Sequence, residues 1–216
     1  VRLRTLLARI LCTLGVALPT AGTLAAEQPR MWNFRTFLDD KPIGYHRFTL
    51  TRQDDLHELK SEARFEIKIL LLRAYRYVHD AAETWEGECL IGMKASTNDN
   101  GKRSTVNAKS SFQDLVVTTA KDRELLPGCI MSFAYWNPKI LTQSRLLNAQ
   151  TGQFEAVNIA LLGEEVIRVR DKAVTARRYR ITGPKNPIDL WYAADGEWLA
   201  LESIVDRKYR LRYTLY

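Results

Sequence analysis

The stretch ELKSEARFEIK, Glu58 to Lys68, alternates with a period of two. Its even positions, Glu58, Lys60, Glu62, Arg64, Glu66 and Lys68, are all charged, whereas Leu59, Ser61, Ala63, Phe65 and Ile67 are mostly apolar. Successive side chains on a strand point to opposite faces, so this segment is a strand with one wet face and one buried face. Continued through Leu71 it is about twice the usual five or six residues. Strands of that length belong to strongly curved, coiled sheets.

The same period recurs along the chain. Trp32, Phe34, Thr36 and Leu38 alternate with Asn33, Arg35 and Phe37, and His46, Phe48 and Leu50 alternate with Arg47, Thr49 and Thr51. NDNG at 98–101, TGPKNP at 182–187 and ADGE at 194–197 mark hairpin turns. Short connections imply antiparallel pairing. The predicted fold is mostly β: a single curled antiparallel sheet of about ten to twelve strands, half-barrel or barrel-like. One segment breaks the rhythm. LPGCIMSFAYWNPKIL, Leu126 to Leu141, is apolar and aromatic, is punctuated by Pro127, Gly128 and Pro138, and reads as a loop with a short helix lying over the sheet.

Residues 1–26 have the pattern of a secretory signal peptide: Arg2, Arg4 and Arg9, then an apolar run ending in small residues at Ala25 and Ala26. A retained anchor is the other reading, opposed by Pro19, Gly22 and the modest length of the run. The expectation is a single β domain at 27–216 in the periplasm or outside the cell. Without the leader, 29 basic residues face 25 acidic ones, a net charge of +4. That is not the polycationic make-up of a nucleic-acid binder. An outer-membrane barrel is disfavoured by the last strand, where Tyr216 shares parity with Lys208, Arg210, Arg212 and Thr214. Two cysteines, Cys89 and Cys129, remain. In an oxidising compartment an even pair reads as a disulfide, with two buried thiols as the alternative.

The chemistry-bearing residues gather in YRYVHDAAETWEGECL, Tyr75 to Leu90, where Tyr75, Tyr77, His79, Ala81, Glu83 and Trp85 share one face. On a helix His79 and Glu83 would be one turn apart. On a strand they are about 13 Å apart, too far for one metal ion. No G-x-S-x-G elbow is present, and a disulfide would consume both cysteines. His79 and Asp80 point to opposite faces of a strand and make no dyad. A histidine on an inner face is commonly a hydrogen-bonded core residue. Still, apolar walls with a few convergent polar tips are the make-up of a small-molecule site. Trp32, Phe34, His46, Phe48, Tyr75, Tyr77, His79, Glu83 and Trp85 are therefore the candidate lining of a concave binding face, with no metal, cofactor or catalytic residue expected. An acid–base role for His79 or His46 with Glu83, or an assembly module with a plain aromatic core, are the competing readings. Arg168 and Arg170, Arg178 and Arg180, and Arg210 and Arg212 recur at spacing two, as on a cationic outer face. The partners anticipated are a lipid or other apolar ligand and an anionic membrane surface, and not nucleic acid.

MWNFRTFLDDKPIGYHRFTL, SEARFEIKILLLRAYRYVHDAAETWEGECL, LPGCIMSFAYWNP and IDLWYAADGEWLALES together resemble a family of exported bacterial proteins known as a domain of unknown function, from about Met31 to Tyr216. That resemblance implies export and carries over no catalytic residue. The LWYAADGEWLALES hairpin is also similar in style to periplasmic lipoprotein carriers, whose curled half-barrel holds acyl chains under helices. This chain departs from them in having only 126–141 available as a lid.

Overall fold

The computed structural model describes residues 28–69 and 72–216. The expected leader at 1–26 and the far end of the Glu58–Leu71 strand lie outside them. The first meander comprises β1 (Arg30–Leu38), β2 (Lys41–Gln53), β3 (Leu56–Ile69), β4 (Leu72–Glu86), β5 (Cys89–Asp99), β6 (Lys102–Ser111), β7 (Asp114–Thr119) and β8 (Arg123–Pro127). A small hairpin follows, β9 (Arg145–Leu147) with β10 (Phe154–Ala156). The second meander is β11 (Asn158–Val169), β12 (Lys172–Thr182), β13 (Ile188–Tyr192), β14 (Trp198–Val205) and β15 (Tyr209–Leu215). Antiparallel pairing of β1 with β15, Phe34 opposite Leu215, fuses the two into one thirteen-stranded sheet. The sheet is antiparallel and open, with β11 and β8 at its edges. The short edge strand β8 and the separate hairpin carry too few residues to show a period of two, which is why the strands outnumber the ten to twelve expected.

Long strands with one apolar face coil the sheet around its own core. Trp32 and Phe34 on β1, Leu59 and Ala63 on β3, Ala81 and Trp85 on β4 and Leu190 on β13 are all buried. The charged set of β3 lies outward, as the alternation requires. At Asn100–Gly101, φ values of 49° and 96° give the tight hairpin turn that an Asn-Gly pair favours. Gly44 is required by close approach: at φ 151° beside the bulge at Ile43 in β2, a Cβ there would sit 1.8 Å from the Arg64 carbonyl oxygen.

Residues 128–157 connect one sheet edge to the other and plug the inner face. Ile130, Met131, Ala134, Trp136, Ile140, Leu146 and Leu147 are buried there. Trp136 packs edge-on against Trp85 with ring centres 5.6 Å apart, and Tyr135 meets Trp198 at 5.3 Å. The plug contains the short 3-10 helix Pro138–Thr142, capped by the Asn137 side chain on the Lys139 N–H. A loop with a short helix is thus what Leu126–Leu141 forms. Cys89 and Cys129 are joined by a disulfide that ties the plug to the start of β5. Closing a loop over a separation of 40 residues is worth about 4 kcal/mol in chain entropy.

Candidate functional site

Strand pairing turns the Tyr75–Trp85 face into a set of lateral rows. Phe34, His46, Ala63, His79 and Thr97 lie opposite one another across β1 to β5. His46 and His79 are thus two strands apart, roughly 10 Å by inter-strand spacing. The row of Phe65 and Tyr77 lies toward one end of the sheet, and that of Leu59, Glu83 and Met93 lies toward the plug. All nine candidate residues belong to this inner face. Trp32, Phe34, Phe48, His79, Glu83 and Trp85 are buried, whereas His46, Tyr75 and Tyr77 are half-buried.

The side chains of His46, His79 and Glu83 have neutral hydrogen-bond partners. His46 Nε2 is 2.7 Å from Ser61 Oγ, and its Nδ1 is 3.2 Å from the Tyr213 hydroxyl. The ring stacks on Phe48 at 4.0 Å. His79 Nδ1 is 2.9 Å from Thr97 Oγ1. Hydroxyls can donate or accept, so both imidazoles are satisfied without a charge. Burial holds His46 well below the ordinary histidine range, reinforced by His79, and burial likewise lowers His79. The phenols of Tyr75 and Tyr77 are pushed upward, chiefly by burial.

Glu83 sits where sheet and plug meet. Ser132 Oγ donates to its Oε1 at 3.1 Å, and Trp85 Nε1 donates to Oε2 at 3.0 Å. Burial raises the carboxyl to about 7, against the smaller opposing pull of those two hydrogen bonds. Because β4 is a strand, His79 and Glu83 lie about 13 Å apart along it. Among the described residues no cluster of His, Cys, Asp or Glu has the geometry to hold a metal ion.

Ser61, Thr97, Ser132 and Tyr213 complete this polar seam and were not singled out from the sequence. Ser61 and Tyr213 have the inward parity of their strands and were legible by that signal. Ser132 sits in the aperiodic plug, where no spacing points to it. Three further polar atoms, Trp32 Nε1, Thr36 Oγ1 and Trp136 Nε1, are buried with no hydrogen-bond partner among the described residues.

The six arginines expected on an outer face divide into groups. Arg178 and Arg180 both clamp Asp189, with Arg178 Nη2 2.5 Å from Oδ2 and Arg180 Nε 2.6 Å from Oδ1. Burial alone would raise Asp189, but hydrogen bonds from Arg180 and Arg178 hold it below the usual carboxylate range. Arg210 and Arg212 each lie 3.8 Å from Asp40. Arg168 and Arg170 stand at the tip of the β11–β12 hairpin. The sequence pattern missed Asp189, an acid inside the apolar run IDLWY.

No curated protein matches the sequence. In structure the chain is similar to the beta-barrel-like protein of domain of unknown function DUF1849 from Brucella abortus. The TM-score is 0.65 over 87% of this chain and 95% of that one, at 10% sequence identity. An identity that low establishes the fold alone. The family model described as Domain of unknown function (DUF6134) matches residues 34–216, the whole sheet apart from the first four residues of β1, and the chain belongs to that family.

Proposed function

We propose that this is an exported, periplasmic protein that binds or carries a lipid-like amphiphile on the inner face of its curled sheet, without catalysing a reaction. The observation that carries this reading is the set of unpaired buried donors at Trp32 Nε1, Thr36 Oγ1 and Trp136 Nε1. Buried polar atoms are almost always hydrogen-bonded, and each orphan costs about 1–3 kcal/mol. Thr36 Oγ1, opposite Tyr213 and beside the hydroxyl–imidazole set of His46, Ser61, His79 and Thr97, would be satisfied by a headgroup acceptor. The indoles of Trp32, four residues along β1, and Trp136, in the plug, would meet other polar parts of the amphiphile.

Entry is assigned to the end of the sheet away from the plug. There Ile67, Tyr75, Tyr77 and Leu211 remain half-buried rather than sealed. An acyl chain would replace part of the contact between plug and sheet, so binding couples to movement of 128–157. The disulfide between Cys89 and Cys129 suits the oxidising compartment this reading requires.

Native mass spectrometry of the protein prepared gently from the periplasm tests the proposal, with lipid extraction after denaturation. A stoichiometric amphiphile, lost or weakened in Tyr77→Ala, is the expected result. A protein that carries nothing, and whose melting temperature does not rise with any of a panel of fatty acids and phospholipids, would sink it.

A further inference from the structure

The outer face holds a second recess, made by an arm of the sheet folding back on it. The β12–β13 register ends at Arg177, so the hairpin of β11 and β12 projects beyond its neighbour. A register shift between Leu161 and Gly163, with Gly163 at φ 142°, marks where the arm bends. Val169 and Ala176 are buried on the arm, and Trp191, on the outward side of β13, is only 7% exposed. Trp191 Nε1 donates to Glu165 Oε1 at 2.5 Å, and Arg178 lies over its ring at 4.9 Å. The arm is therefore clasped to the sheet at its base.

Between the arm's tip and strands β14, β15 and β1 lies a cleft of about 700 Å³. Its lining includes four arginines, Arg35, Arg168, Arg170 and Arg212, against two acids, Asp171 and Glu202. Arg35, Arg168 and Arg170 have no ion-pair partner among the described residues. Arg212 Nε is buried with no hydrogen-bond partner there, while the guanidinium lies over the Phe37 ring at 5.1 Å. Phe37, Ile167, Trp191 and Leu199 provide the apolar share of the lining.

We infer that this cleft is a binding site for a phosphate group carried on an apolar body, distinct from the inner-face site. Arg212 lies 3.8 Å from Asp40, but Arg35, Arg168 and Arg170 add three further guanidiniums to a lining with two acids. Asp189, on the outer side of β13, is by contrast fully engaged by two. A phosphate brings up to two charges and three acceptor oxygens, matching several converging guanidiniums. The apolar lining then accounts for a ligand larger than the anion itself. Of the inner-face residues on which the proposed function rests, only Tyr213 also lines this cleft. Tyr77 belongs to the inner face alone and Arg35 and Arg170 to the cleft alone, so either site can fail without the other.

Isothermal titration calorimetry on the full protein separates the possibilities, using dihexanoyl phosphatidic acid below its micelle concentration, dihexanoyl phosphatidylcholine and inorganic phosphate as probes. The expected order is phosphatidic acid tightest, with inorganic phosphate weaker by at least about tenfold. Arg35→Gln with Arg170→Asn removes two cations from exposed positions, and Asn tolerates the positive φ of 46° at 170. This pair should weaken phosphatidic acid binding at least tenfold, with an unchanged urea midpoint. Arg212→Lys keeps the charge but lacks the Nε donor and should also bind more weakly. Tyr77→Ala should leave this affinity alone. No saturable binding, equal affinity in the arginine variants, loss only in Tyr77→Ala, or equal affinity for inorganic phosphate each overturns the assignment.

Discussion

Glu83 and Asp189 expose similar fractions of their surface, 7% and 6%, yet their acidities are pushed in opposite directions. Glu83 faces the inner side, and its donors are a serine hydroxyl and an indole, both neutral. Asp189 faces the outer side, and its donors are two guanidiniums that keep part of their surface in water. Removing a carboxylate from water favours its neutral form, and only a nearby opposite charge reverses that preference. Burial alone therefore predicts neither the charge of a carboxylate nor its contribution to stability. The identity of its donors decides.

The largest test of this contrast is Asp189→Asn, which leaves two arginines without their anion. It should cost about 3 kcal/mol at pH 7 in urea unfolding. Because the folded pKa of Asp189 is depressed, its contribution is present above the unfolded value and is lost as pH falls through the folded one. The variant and the native protein should thus converge in strong acid. If the gap persists unchanged there, ionisation of Asp189 is not its source.

Glu83→Gln should act with the opposite sign. The folded carboxyl titrates at about 7 against an ordinary value of 4.5, so its contribution is intact below 4.5 and lost as pH rises through 7. Native and variant should match near pH 4, and the variant should be more stable by about 3 kcal/mol above pH 8. Equal stability across this range would show that the plug opens enough to hydrate the ionised form.

Ser132→Ala removes one of the two donors to Glu83 and should cost about 1 kcal/mol. It should also push the Glu83 titration further upward, readable by carboxyl NMR shifts. The smallest effect belongs to Arg177→Gln. Arg177 pairs with Glu164 at 3.0 Å on an open surface, and such pairs contribute little. Its urea midpoint should not move; a clear loss would mean that the arm depends on this pair as well as on the Trp191 clasp.

Much of this molecule is legible in the order of its residues. A period of two assigns Leu59, Ala63 and Phe65 to one face and the charges of ELKSEARFEIK to the other, since a strand permits no other arrangement of side chains. The same parity places Trp32, Phe34, His46, Phe48, Tyr75, Tyr77, His79, Glu83 and Trp85 together, and the Asn-Gly turn follows from local backbone preference. Other features depend on contacts between residues far apart in the chain. Pairing of β1 with β15 joins the two meanders, and Ser132 reaches Glu83 across 49 positions. Arg178 and Arg180 find Asp189, and the arm covers Trp191, through registers that no single strand encodes. Periodicity reports which way a side chain points; what it meets there, and so whether a buried acid is charged, is decided by which strands become neighbours when the sheet coils.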